Sequence, residues 1–369
     1  MKKGTIGLLL TFLALAFMFQ ACNNNSKPEA DNYPGVIDSS SQIIKPVYIS
    51  ERSLNDTDDP AIWINPVDPS KSLILGTDKG NLNGGIYVYD LEGKIDSASS
   101  IFNLKRPNNI DVEYGFPFKG GKTDIAVFTE RGRNMIRVYS LPDMMAIDNG
   151  GIEVFAGATD RDPMGIGIYH DKSASKFYAV VSRKSGPDGA YLWQYELLEE
   201  NGIVTGTKVR EFGQFKGKNE IEALVVDDEL GYIYYSDEGV GVRQYFASPD
   251  RGNDELSVFA TSGIKEDHEG LSINKLTDTT GYILLSDQAA GRFHIFSREG
   301  TKDNPYEHRL LKIIGVEARD SDGSDVTSVA VNSTFKHGLF VVMSTDKTFH
   351  YYRWEDIAGK DLKMKWTDL

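Results

Sequence analysis

The chain has 369 residues, enough to bury a large core, and sets 54 acidic side chains against 40 basic ones for a formal charge of −14. That balance speaks against binding nucleic acid or an anionic lipid surface, and against any polyanionic substrate unless cations stand between. A single cysteine excludes an internal disulfide, while 11% aromatics and 36 glycines favour strands and tight turns over helices.

In chain order, Lys2 and Lys3 precede the apolar run IGLLLTFLALAFMF and then QAC. A positive start, a short apolar stretch and a small residue before a cut predict a secretory signal over residues 1–21, too short for a comfortable spanning helix. Its removal leaves 38 basic residues against 54 acidic ones, a charge of −16. Cys22, directly after Ala21, is similar to the lipobox cysteine of bacterial lipoproteins. The resemblance implies lipidation of the Cys22 thiol and a protein carried across the inner membrane. It would then be anchored by lipid to a bacterial membrane, the outer one being the expected address, on its periplasmic or exposed side. Residues 22–42 are polar, with Pro and Ser and no apolar period, and predict a flexible tether ahead of a folded domain over 43–369.

From there a unit of three short strands recurs. It reads AIWINP, LILGTDKG, GIYVYDLEGK; then NIDVEY, DIAVFTERG, MIRVYSL; then GIGIYH, FYAVVSRKSG, YLWQYEL. EALVVDD, YIYYSDEG, GVRQYFA make a fourth, GLSINK, YILLSDQAAG, FHIFSRE a fifth, and SVAVNS, LFVVMSTDK, FHYYRWE a sixth. Six units at a period of roughly 50 residues predict an all-β fold, a six-bladed β-propeller in one domain. Stretches such as VFAG at Val154 and LLKIIG at Leu310 are expected as outer fourth strands. Ile43–Ile49 has no unit of its own and is expected to join the last blade and close the ring, since an open ring leaves two sheet edges unpaired. Trp63, Trp193 and Trp354 fall where blade cores need filling. GGKT at Gly120–Thr123 precedes a strand, not a helix, and reads as a hairpin turn instead of a nucleotide loop. His170, His294 and His350 lie in or beside strands and read as packed or surface residues; His268 sits within an acidic loop and is a candidate substrate contact.

The polar residues gather in the turns. After each second strand stand GTDKG, FTERG, SRKSG, SDEG, SDQAAG and STDK; ahead of first strands stand NDTDDPAIW, RPNNID, KNEIEAL, EDHEGL and ARDSDGSDV. Asp, Asn and Gly are what tight turns require, so any one of these is explained by its turn. Glu is not a turn former, yet Glu222, Glu238 and Glu269 sit there beside further carboxylates. Converging carboxylates are costly unless a hard cation neutralises them, and calcium takes several oxygen ligands in flexible geometry. No Cys/His cluster points to structural zinc.

DTDDPAIWINP, NNIDVEYGF, VVSRKSG, IEALVVDDELGYIYYSDE, DHEGLSI and SDQAAG, in this order from about Asp56 to Glu355, resemble the β-propeller phytases, the calcium-dependent alkaline phytases of bacteria. The resemblance implies several bound calcium ions and release of phosphate from myo-inositol hexakisphosphate by water, with no covalent phosphoenzyme. It implies that Glu222, Asp267, Glu269, Gln288 and Glu238 are metal ligands on the active face. Asp58 and Asp59 match the family's DDPA element and Asn109 and Asp111 its NNxD element, both near metal; Asp320, Asp322 and Asp325 match an acidic turn before the last blade. Lys79, Arg131 and Lys184 look like the family's phosphate-binding cations, with Arg183 an alternate should the loop register slip. Together with Glu222 they form the expected catalytic set. Calcium can neutralise phosphate oxygens and lower the pKa of a water, and the three cations can stabilise charge on the transferring phosphoryl group. Met164 stands where better-known members carry Tyr, and the last blade lacks their longer acidic insert. Two other readings remain at this level: a non-catalytic surface propeller that binds a glycan or protein, and a lactonase or esterase with one central metal and no cationic triad. The expected protein is a monomer that takes a small-molecule substrate and meets a membrane only through its lipid.

Overall fold

The computed structural model describes residue 1, residues 35–217 and residues 219–365. The predicted signal, Cys22 and the tether as far as residue 34 lie outside the described residues. Six antiparallel sheets follow one another along the chain. The first runs Thr57–Trp63, Leu73–Asp78, Gly84–Tyr89 and Ile101–Leu104, and the others repeat that order of innermost to outermost strand. The innermost strands are Thr57–Trp63, Pro107–Phe118, Pro163–Asp171, Leu224–Asp227, His268–Lys275 and Ser324–Thr327, and each packs against the next around a central channel. The protein is a six-bladed β-propeller, with one short α-helix among the described residues, Trp354–Ala358. No helix among the described residues is long and apolar enough to cross a membrane.

The core lies between the blades. Six clusters of buried side chains each draw on two neighbouring sheets: Ile125, Val127, Ile166 and Val181 join the second and third blades, and Leu284, Phe293, Phe340 and Val342 the fifth and sixth. The alternation of the strands dictates this, because residues two apart share a face and each blade must cover the face of the next. Trp63, Trp193 and Trp354 sit in three of these layers, at 2%, 7% and 0% exposure. Lys119 and Gly120 take positive φ between Phe118 and Gly121, so GGKT is part of a hairpin.

Three details differ from the expectations. The ring is closed by Tyr48–Ile49, which pairs antiparallel with Thr348–Arg353 as the fourth strand of the last blade. Ile43 and Ile44 belong instead to Ile37–Ile44, which adds in parallel to Leu310–Val316 on the edge of blade five, so an ordered strand begins inside the stretch read as tether. Leu310–Val316 is an outer strand as expected, but VFAG is not: Met145–Ala146 and Ile152–Glu153 take that role just before it. Phe155 adopts a positive φ there, which ends the pairing.

Candidate active site

Both sets of polar turns open on one face, because each innermost strand begins where its antiparallel neighbour ends; Thr57 pairs with Asp78, Pro107 with Glu130, Pro163 with Arg183 and His268 with Asp287. At those pairs the register slips: bulges fall between Thr57 and Pro60, Pro107 and Ile110, Pro163 and Ile166, and His268 and Leu271. A bulge sets two residues against one and re-aims their side chains. Consecutive residues therefore part company. Asp58 and Asn108 join a polar network at the mouth, while Asp59 and Asn109 line the channel below.

The mouth network crosses the ring. Lys79 Nζ lies 2.7 Å from Asp58 Oδ1 and 2.7 Å from Asp322 Oδ2. Asn108 Nδ2 donates to Asp58 Oδ2 at 2.9 Å and to Glu222 Oε1 at 2.8 Å. Gln288 Nε2 donates to Asp322 Oδ1, and Asn219 Nδ2 donates to Asp267 Oδ1 at 2.9 Å. Burial, then the neighbouring carboxylates, raise the pKa of Glu222 and of Glu269, the latter facing Glu222, Glu238, Asp322 and Asp267. Glu238 is pushed up to about 8 by burial, Glu220 and Asp267. Asp322 rises through burial and Asp58, with Lys79 opposing. Burial pulls the Lys79 ammonium down, yet Asp58, Asp322 and Glu222 outweigh it and hold the proton on. Gly165 makes the close approach possible: a Cβ there would stand 1.9 Å from the Glu222 carbonyl oxygen.

Below the mouth, Asp59, Asn109, Asp111 and Asp325 line a channel cavity of about 40 Å³. Their oxygens also cap strand edges across blades. Asp59 Oδ2 accepts from Ile110 N at 3.2 Å, Asp111 Oδ2 from Ile168 N at 2.7 Å, and Asp325 Oδ2 from Ile62 N at 2.7 Å. Each of these carboxylates satisfies an edge N–H of the next blade's innermost strand. Burial dominates their titration and pushes Asp111 up to about 7 and Asp325 up to about 6, with Asp59 raised well above the ordinary range.

The predicted residues sort accordingly. Asp58, Glu222, Glu238, Asp267, Glu269, Gln288 and Asp322 share the mouth with Lys79; Asp59, Asn109, Asp111 and Asp325 lie in the channel; Asp320 is exposed beside the mouth with a positive φ. The acidic turn before the last blade is thus three separate environments. Lys184 Nζ pairs with Glu220 Oε1 at 2.6 Å. Arg131 sits half-buried on the loop after Glu130, on the same face, with no ion-pair partner among the described residues. Arg183 is a correction: 3% exposed, it bonds Asp160 O and Ala190 O at 3.1 and 2.8 Å and lies over the Phe155 ring, so it packs the blade and cannot meet substrate. His268 is another, 4% exposed with Nε2 at 2.7 Å from Ala260 O and its pKa lowered by burial; the bulge turns it away from the mouth. Met164 is buried, and its carbonyl accepts from Thr129 Oγ1 at 2.7 Å. Sequence reasoning missed Asn108, which adjoins Asn109, and Glu220 and Asn219, which lie shortly before Glu222. Strict alternation would place only one of Asn108 and Asn109 in the interior, and nothing in the letters announces the bulge.

Several oxygens are left wanting. Glu269 Oε2, Glu220 Oε2 and Asn108 Oδ1 are buried with no hydrogen-bond partner, as is Asn109 Oδ1 in the channel. A native interior rarely leaves such atoms unmet. The donor set is all hard oxygen, which suits a hard divalent cation better than zinc. Among the described residues no three His, Cys, Asp or Glu side chains already converge as a metal cage. The mouth carboxylates are held by Lys79, Asn108, Gln288 and Asn219, so a cation would have to draw them inward.

The family model described as Phytase matches residues 7–359. A 3-phytase of Bacillus subtilis (strain 168) is 31% identical over 324 residues, covering 82% of this chain and 80% of that protein. Among solved structures, a chain of the "Crystal Structure of Mitotic Checkpoint Complex" aligns with a TM-score of 0.44 at 12% identity over 93% of this chain and 99% of its own, a likeness too low to bear on fold or function.

Proposed function

The chain belongs to the phytase family, and from that premise we propose that it releases phosphate from phytate by attack of water, with calcium as its metal. The observation that carries this reading is the mouth itself, where Asp58, Glu222, Glu269 and Asp322 crowd one rim with Lys79 among them and with Arg131 and Lys184 on loops of the same face. Phytate is more negative than the rim, so the two meet only across cations. Bound calcium would supply neutralisation of phosphate oxygens and a water of lowered pKa. Asp58, Glu222, Glu238, Asp267, Glu269, Gln288 and Asp322 are the residues that would hold it. Asn108 fixes the angle between Asp58 and Glu222 through its two hydrogen bonds. Lys79, Arg131 and Lys184 present positive charge to the transferring phosphoryl group and stabilise its negative charge as the ester bond breaks. The channel residues Asp59, Asn109, Asp111 and Asp325 belong to a second, deeper group of candidate metal ligands.

The test is phosphate release from phytate by the protein lacking residues 1–22, with calcium, with chelator, and as Glu269→Ala. Release that needs calcium and is lost in Glu269→Ala supports the reading. Release that survives the chelator leaves a phytase and removes calcium from it. For its address we propose a lipid on Cys22, which Cys22→Ala would test by moving the protein from the membrane fraction to the soluble one; continued membrane recovery would reject that anchor.

A further inference from the structure

Lys79 stands between two of the carboxylates proposed above to hold a metal, Asp58 and Asp322. Its backbone cannot yield: Asp78 takes Leu54 N, Asn55 N and Asp56 N on its carboxylate at 3.1, 2.9 and 3.0 Å, and Lys79 N donates to Asp56 O at 2.8 Å. Only the side chain is left to move. Its ammonium bridges blade one to the turn before blade six through Asp58 and Asp322, and it holds one oxygen of each. The other oxygen of each is taken by an amide, Asn108 for Asp58 and Gln288 for Asp322. A divalent ion that draws on these two carboxylates therefore meets a resident cation on the oxygens it needs. Two cations cannot share them cheaply at contact distance.

We propose that Lys79 and the metal hold Asp58 and Asp322 by turns: metal loading expels the ammonium from between the two carboxylates and turns it to the substrate side of the mouth. The inference rests on the calcium reading above and adds an order of events to it. Without metal, Lys79 is spent on the acids and keeps the rim from repelling itself apart. With metal, the same charge is released to a phosphate. Phosphate and metal then favour one another's binding, since linkage is reciprocal.

Calcium titration by calorimetry, with thermal unfolding in chelator and in calcium, compares the native protein with Lys79→Met, a side chain of similar length and no charge. Lys79→Met is expected to bind calcium ~10-fold or more tightly, because no ammonium must be displaced. Its Tm is expected to fall below native in chelator and to recover in calcium. Lys79→Arg, which keeps the charge, is expected to hold the chelator Tm near native, and it remains informative should Lys79→Met fold poorly. Unchanged or weaker calcium binding by Lys79→Met overturns the exchange while leaving calcium in place. An equal Tm deficit in chelator and in calcium also overturns it, since Lys79 would then serve the acids in both states. If the native protein binds no calcium, the exchange falls together with the calcium reading.

Discussion

Replacing Asp111 by Asn tests whether the channel carboxyls carry an electrostatic cost. Asp111 keeps both oxygens on backbone donors, Ile168 N at 2.7 Å and Val112 N at 2.8 Å, and an amide oxygen can retain one of these. Burial and the nearby acids Glu113 and Asp325 push its pKa from 3.8 to about 7. A raised pKa means that the folded state holds its proton more tightly than the unfolded chain does. The stability linked to that proton is complete below about pH 3.8 and is lost as pH rises through about 7. At 1.36 kcal/mol for each pH interval, the loss approaches ~4 kcal/mol by about pH 8.5, and ~2 kcal/mol is a fair lower bound after local relaxation. Asp111→Asn has no such proton. Urea unfolding in chelator at about pH 5 and about pH 8.5 should therefore show native stability falling by ~1.5–2.5 kcal/mol more than that of the variant, since part of the loss is already complete at about pH 5. Calcium should flatten the native slope if the channel takes a cation. Parallel pH dependences for the two proteins would refute the reasoning, because Asp111 would then ionise as freely inside the channel as in water.

Gly165→Ala should cost ~1–3 kcal/mol and reduce phosphate release, because the added methyl must push the Glu222 carbonyl from 1.9 Å and Glu222 with it; normal kinetics would show that the rim adjusts without loss. Arg183→Ala should lower stability by ~2–3 kcal/mol through two lost hydrogen bonds and its ring contacts, while Arg131→Ala should lower release and leave the Tm unchanged. The reverse pattern in unfolding and rate measurements would exchange their roles. Trp354→Ala should cost ~3–5 kcal/mol in urea unfolding, since its ring is fully buried against Tyr282 between the last two blades; a loss under ~1 kcal/mol would mean that the layer collapses to fill the space.

The propeller was legible because its signal is repeated six times; an error in one strand does not change the count. That most of the candidate residues gather on one face was legible for a related reason: the turns that hold them follow the same strand ends in every unit. What escaped were local events that break the period. Asp58 and Asp59 are neighbours in the letters and occupy different environments, because a bulge falls on them. The same displacement hides Asn108 beside Asn109 and turns His268 into the blade. Arg183 and Lys184 are both cationic, yet strand alternation buries the first against Phe155 and leaves the second to Glu220. The double use of the channel acids, as edge caps as well as candidate ligands, depends on contacts between blades that lie more than fifty residues apart in sequence.

The strand Ile37–Ile44 changes how the ring bears a pull on its leading end. The clasp that completes the circle, Tyr48–Ile49, is only two residues long and its antiparallel bonds could be peeled one by one. Upstream of it, the parallel ladder on blade five, five pairs interrupted between Ser39 and Ile43, must give way before any load arrives at that clasp. Tension is met first by this outer pairing, and the short seam that keeps six blades in a circle stays slack.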